Sequence, residues 1–167
     1  AEQHAFAFAS GLAAGGLHPV VSIYSTFLQR AYDGLIHDMA VQDLPILVTV
    51  DRGGIVGPDG PTHQGMFDIA IMRCIPNLVI MTPSDLKDQF LMLNTGYKLN
   101  KPCVVRYERT SDNSSVSGLS LDDTIEIGKG RLLLEGKKIA ICAFGSIAKR
   151  VYPVAQKYNL TLADMRF

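Results

Sequence analysis

At 167 residues, with 47% hydrophobic and 19% charged residues, the chain has the make-up of a soluble globular protein with room for one domain, or one domain and part of another. Sixteen basic residues balance sixteen acidic ones, and no basic run or aromatic–basic interleaving occurs, which argues against nucleic-acid binding and against attachment to an anionic membrane. Cys74, Cys103 and Cys142 are widely spaced and form no CxxC pair, a pattern that predicts buried, reduced thiols in a cytosolic compartment; no apolar run is long enough for a membrane span.

From Gln3 to Ala14 small and apolar residues recur at helical spacing, and Gly15–Gly16 supplies a stop. Val20 to Tyr24 reads as a strand. Ser25 or Thr26 is placed to cap a second helix carrying Leu28, Ala31, Leu35, Ile36 and Met39 at threes and fours. After Pro45 comes the strand Ile46 to Val50, and directly behind it the stretch DRGGIVGPDGPTHQG, Asp51 to Gly65. Glycine at that density lets a backbone turn tightly and lets a ligand approach main-chain amides. A short helix around Phe67 to Arg73, a strand Leu78 to Met81, a helix capped by Ser84 with Asp85 in its first turn, and a strand Cys103 to Tyr107 complete the first run. Strand–helix alternation with near-continuous apolar strands predicts an α/β fold: a parallel, doubly wound sheet with helices on both faces. The polar stretch that follows reads as a linker. Ile125 to Leu134 predicts one or two short strands, and Lys138 to Phe144, Ile147 to Tyr158 and Thr161 to Met165 predict strand, helix, strand. That unit is expected to be an incomplete second α/β domain. The absence of an initiating Met and the abrupt ends suggest a piece of something larger.

In open parallel sheets ligands bind beyond the carboxyl ends of the strands. Here those ends carry Tyr24 with Ser25, Asp51 with Arg52, Thr82, and Glu108 with Arg109. Arg52 and Arg109 suit a forked grip on phosphate or carboxylate, although a surface ion pair is the ordinary alternative for each. His63 is the best acid–base candidate, and the spacing Asp59-x-x-x-His63 would let a carboxylate orient the imidazole. His4, His18 and His37 show no metal-ligand spacing, so no metal site is predicted. Glu2 stands at the start of the first helix, either as a first-turn charge favourable to the helix dipole or as a buried acid of raised pKa that shares a proton with a ligand. Phe27, one turn from Arg30, is either ordinary core or a plate for a flat heterocycle. GxGxxG and P-loop patterns are absent.

Taken in order, AEQHAFAFASGLAAGG, YSTFLQRAYD, DRGGIVGPDGPTHQG, RCIPNLVIMTPSD and VRYERT resemble the 1-deoxy-D-xylulose-5-phosphate synthase family, thiamine-diphosphate enzymes related to transketolase. The resemblance covers Ala1 to about Thr110, and IGKG, FGS and LADMRF resemble the start of the family's C-terminal domain. It implies residues 1–110 as a pyrimidine-binding domain lacking its first strand, 111–124 as a linker and 125–167 as the beginning of a C-terminal domain. It further implies that Glu2 engages the aminopyrimidine of thiamine diphosphate, that Phe27 stacks on that ring, and that Tyr24 and Arg30 line the same pocket. By the same resemblance His63 and Asp59 face the reacting carbon, and Arg52 and Arg109 hold the phosphate of glyceraldehyde 3-phosphate. The implied reaction condenses pyruvate with that aldehyde, feeding isoprenoid, thiamine and pyridoxal synthesis in a bacterial cytosol or a plastid stroma. The family holds the diphosphate and Mg²⁺ on a separate N-terminal domain through a GDG-containing motif; none occurs here, so the chain alone is expected to be inactive and to work as part of a homodimer with that domain as partner. One departure is Gly53, where the pattern has Ala. The alternatives are another transketolase-like enzyme, a keto-acid dehydrogenase β subunit, or a non-catalytic assembly module, for which the small residues of the first helix would suit packing against another subunit.

Overall fold

The computed structural model describes residues 1–167. Helix α1 (Glu2–Ala14) leads into β1 (Val20–Tyr24), and a broken helical segment into β2 (Leu47–Asp51). The Gly-rich loop and α3 (Asp68–Met72) precede β3 (Val79–Met81), and α4 (Leu86–Lys98) precedes β4 (Cys103–Arg106); α2 (Ser25–Leu28) is the first turn of the broken segment. The four strands form one sheet in the order β1-β2-β4-β3, all parallel, as the near-continuous apolar strands predicted. Register brings their carboxyl ends level: Tyr24 pairs with Asp51, and Val50 with Arg106. Apolar side chains leave both faces because both are covered. Val48, Val50 and Val104 pack on one face under Phe6, Leu28, Leu35 and Met39; Leu47, Cys103 and Val105 pack on the other with Met81 and Met92.

Several local expectations give way to tertiary packing. The second helix is not continuous: α2 runs into a 3₁₀ turn (Gln29–Ala31) and then a π-helix (Gly34–Ala40). A Cβ at Gly34 would lie 3.1 Å from the Cβ of Phe6, so α1 presses directly on the backbone where the winding changes. Neither Ser25 nor Thr26 caps α2; Tyr24 occupies that position, the Ser25 hydroxyl is buried without a partner, and Thr26 donates to the Thr62 carbonyl instead. At α4 the cap is Asp85, whose Oδ1 accepts from the Asp88 amide at 2.7 Å, while Ser84 is buried and donates to the Asp88 carboxylate. The thiols are not uniformly buried: Cys74 and Cys142 are exposed, and only Cys103 is enclosed, where burial pushes its pKa up to about 12.

Residues 107–130 carry no helix or strand. The stretch from Ile125 yields one strand, β5 (Arg131–Leu134), which pairs antiparallel with β7 (Thr161–Asp164); β6 (Ala140–Ala143) pairs parallel with β7, and α5 (Ile147–Lys157) joins them. This mixed three-stranded unit meets the larger sheet along a charged seam. Asp88 in the first turn of α4 receives Arg166 at 2.7 Å and Arg131 at 3.4 Å, and Arg131 also reaches Asp164 at 3.1 Å. No helix is long and apolar enough to cross a membrane.

Candidate functional site

Chain turns at the level carboxyl ends of β1, β2 and β4 collect the residues singled out above at one edge. Because α2 begins immediately after Tyr24, its first turn folds Phe27 back alongside that ring. The two stack with centroids 5.9 Å apart and planes 7° from parallel. His63 meets both edge-on, at 5.3 Å from Phe27 and 6.3 Å from Tyr24. One turn on, the Arg30 guanidinium lies 5.0 Å from the Phe27 ring and 3.6 Å from the Glu2 carboxylate. On the opposite flank Arg52 covers Tyr24 at 4.1 Å. The result is an aromatic wall with a carboxylate–guanidinium pair at one end, an imidazole across it and a second guanidinium behind.

The Gly-rich stretch is less open than its composition suggests. Gly54 and Gly65 bridge reciprocally at 2.8 Å and close its base, and two 3₁₀ turns (Gly57–Asp59 and Pro61–His63) carry Asp59 and His63. Asp59 does not orient His63. Its two oxygens accept from Arg52 and Arg109, each at 3.1 Å, so the predicted anion-binding arginines converge on one carboxylate. Arg52 also pairs with Asp51. The imidazole is held instead by the adjacent Thr62 hydroxyl, 2.9 Å from Nδ1. An open recess of about 600 Å³ lies between residues 55–58 and 109–111, beside the exposed Arg109.

Glu2 departs from the buried-acid expectation. Its own backbone amide, aided by Arg30, outweighs the opposing effect of burial and holds its pKa below the ordinary carboxylate value; its side chain remains 17% exposed.

Two residues of the site were not anticipated. Arg106, the last residue of β4, donates to the almost wholly buried Asp68 at 2.9 Å and reaches the Gly65 carbonyl, so it lies beneath the loop's closing bridge. A Cβ at Gly53 would collide with its guanidinium. The departure at Gly53 thus has a local correlate: the guanidinium fills the volume a side chain would take. An arginine ending an otherwise apolar strand was the available signal; its partner, far away in sequence, gave none. No three His, Cys, Asp or Glu side chains lie close enough to hold a metal ion.

The family model described as the transketolase pyrimidine-binding domain matches residues 1–113. Over all 167 residues the chain is 57% identical to the 1-deoxy-D-xylulose-5-phosphate synthases of Haemophilus influenzae and Pasteurella multocida, and 58% identical to that of Yersinia pestis. It spans about a quarter of the length of these curated relatives, 26% of the first and 27% of the others. A solved chain described as a split-gene transketolase, inactive beta4 tetramer, superposes with a TM-score of 0.82 at 27% identity, over 99% of this chain and 54% of its own.

Proposed function

The chain belongs to the transketolase pyrimidine-binding domain family, and from that premise we propose that it is the pyrimidine-binding part of a 1-deoxy-D-xylulose-5-phosphate synthase. The observation that carries this reading is the convergence of Glu2, Tyr24, Phe27, Arg30, Arg52, Asp59, His63 and Arg109 at one sheet edge. We assign residues 1–110 to that domain, 111–124 to a linker and 125–167 to the start of a further domain.

The residues present fit thiamine diphosphate in kind. Phe27 and Tyr24 offer a flat apolar wall of heterocycle size, and Glu2 a hydrogen-bonding carboxyl at its end. When bound, this cofactor supplies the electron sink for decarboxylating a 2-keto acid and joining the remaining fragment to an aldehyde. The protein's own residues then have distinct tasks. Glu2 holds a proton at the ring nitrogen it faces, a task that needs its pKa lifted by covering surface that excludes water. Arg30 keeps the Glu2 carboxyl directed along the aromatic wall. His63, oriented by Thr62, exchanges a proton with the substrate oxygen that gains charge. Arg52 and Arg109 exchange Asp59 for the phosphate of glyceraldehyde 3-phosphate, a bidentate match for guanidinium forks. Pyruvate is the proposed donor. Mg²⁺ and the diphosphate belong to a domain outside these residues, and the isolated chain is proposed to be inactive.

A second reading, an assembly module, is favoured by one observation: α1 presents Phe8, 62% exposed and stacked on His4, from a face it shares with Ala7, Gly11 and Ala14. The two readings are compatible if that face joins two copies of a homodimeric enzyme. The deciding assay is CO₂ release from pyruvate dependent on glyceraldehyde 3-phosphate, in a full-length protein carrying this segment. Activity with both substrates supports the synthase; none, with the fold intact, removes that reading and leaves another transketolase-like enzyme, a keto-acid dehydrogenase β subunit or the assembly role.

A further inference from the structure

Glu108 belongs to the strand-end group read from the sequence, yet the proposed reaction gives it no task. Its surroundings supply one. The last main-chain bonds tying this segment to its neighbours are at Tyr107, whose amide donates to the Val50 carbonyl and whose carbonyl accepts from Gly53, both at 2.9 Å. Beyond it the backbone of Glu108 and Arg109 leaves the sheet. Arg109, the proposed phosphate ligand, is therefore held by side chains alone: its own pairing with Asp59 and the contacts of its neighbours.

The neighbours' side chains are held by α5. The Glu108 carboxylate accepts from the Ser146 hydroxyl at 2.5 Å and from the Arg150 guanidinium at 3.2 Å. Ser146 occupies the cap position of α5 but makes no capping bond, so its hydroxyl is directed to Glu108 rather than to its own helix. Past Arg109, Asp112 accepts from the Leu86 amide at the start of α4 at 2.7 Å and from Lys149 of α5 at 2.9 Å. Lys149 and Arg150 also stand at the positive end of their own helix, where cations are disfavoured and where α5 carries no acid. Carboxylates from the other unit, Glu108, Asp85 and Asp112, explain their presence. Arg109 thus lies between two residues pinned to the same helix, and its guanidinium, paired with Asp59, borders the recess.

We infer that α5, acting through Ser146 and Arg150 on Glu108, positions Arg109 for the anionic end of the aldehyde substrate, so that Glu108, Ser146 and Arg150 are positioning residues for a site they do not touch. This rests on the proposal that Arg109 binds that anion. The alternative is that the same contacts only glue two units together, and the two make different kinetic predictions. A positioning role affects recognition of the phosphate alone; adhesion affects every substrate or none.

The test measures steady-state kinetics of a full-length protein carrying this segment, with the phosphorylated aldehyde and with its unphosphorylated analogue. Glu108→Gln and Arg150→Met should each raise KM for the phosphorylated aldehyde by about fivefold at unchanged kcat, and leave the unphosphorylated analogue unaffected. The paired reversal Glu108→Arg with Arg150→Glu should recover most of the loss, and Arg109→Ala serves as the reference. If Arg109→Ala raises KM while Glu108→Gln and Arg150→Met do not, the inference is overturned and the phosphate assignment stands. If Arg109→Ala itself leaves KM unchanged, that assignment falls and the positioning role with it. Equal losses with both aldehydes, unrelieved by the reversal, would reduce the contact to adhesion.

Discussion

The site edge and the charged seam use the same chemistry to opposite ends. At the edge, Asp59 holds two guanidiniums at 3.1 Å, and one of them, Arg109, is 44% exposed. At the seam, Asp88 also holds two, but with only 1% of its side chain exposed, and Asp164 beside it is fully enclosed. Pair geometry scarcely differs; access does. An ion pair open to water contributes little net stability, and an arriving anion can take the carboxylate's place. A pair shut away from water has no such substitute, because removing one partner strands the other. The Asp164 Oδ1 and the Nε atoms of Arg131 and Arg166 already lack partners, so the seam has no surplus of hydrogen bonds to absorb a further loss.

The largest contrast expected is in catalysis. Glu2→Ala should lower turnover of a full-length protein carrying this segment by about 10²–10⁴-fold, the range for removing a positioned proton-transfer group, while leaving its unfolding transition in place. Turnover that survives the change would remove Glu2 from the chemistry. At the seam the effect should run the other way. Asp88→Ala should cost about 3–5 kcal/mol by stranding Arg166, since Arg131 keeps Asp164, whereas Asp59→Ala should cost under about 1 kcal/mol. Urea unfolding of the two variants side by side measures the difference, and equal costs would erase the distinction between edge and seam. A smaller effect separates fork from charge: Arg52→Lys should raise KM for the phosphorylated aldehyde by about fivefold, since an ammonium keeps the charge but loses the planar grip. An unchanged KM would take Arg52 out of the phosphate site.

What the sequence disclosed follows the same division. Strands β1 to β4 were legible to within a residue or so; β2 and β4, buried on both faces, must be apolar along their length, whereas β1 at the sheet edge alternates exposed and buried residues. The edge residues were legible because strand ends are adjacent in a parallel sheet, so Tyr24, Arg52 and Arg109 could be grouped without knowing any side-chain direction. Everything that depended on direction was hidden. Asp59 turns to the arginines and not to His63, a choice made by the 3₁₀ turns rather than by spacing. The π-helical winding of Gly34–Ala40 answers to Phe6 of another helix, which no periodicity within the segment reports. Arg106 with Asp68, and Asp88 with Arg131, Arg166 and Asp164, join residues far apart in the chain, and composition treats such charges as surface. Of the two readings open for Glu2, a first-turn charge or a buried acid, the contact with Arg30 and the lowered pKa match the first.

The smallest expected effect probes the seam by pH, where two carboxylates should pull in opposite directions. Asp112, bonded first to the Leu86 amide and then to Lys149 and Ser114, has its pKa driven well below the ordinary carboxylate value. Its contribution is complete above that ordinary value, about 3.9, and is lost as pH falls through the lower folded-state pKa. Asp164 is shifted upward, chiefly by burial and further by Asp88, against the pull of the Ser84 hydroxyl and Arg131. The folded chain therefore binds the Asp164 proton more tightly than the unfolded chain does, and that contribution is lost as pH rises from the ordinary carboxylate value through the raised one. Carbon-detected NMR titration of the side-chain carboxyls should give a midpoint below the ordinary value for Asp112 and above it for Asp164. Asp112→Asn should make stability fall less steeply on acidification, while Asp164→Asn should remove a decline on the alkaline side of the carboxylate range. A midpoint for Asp164 at or below the ordinary value would mean that Arg131 outweighs burial there.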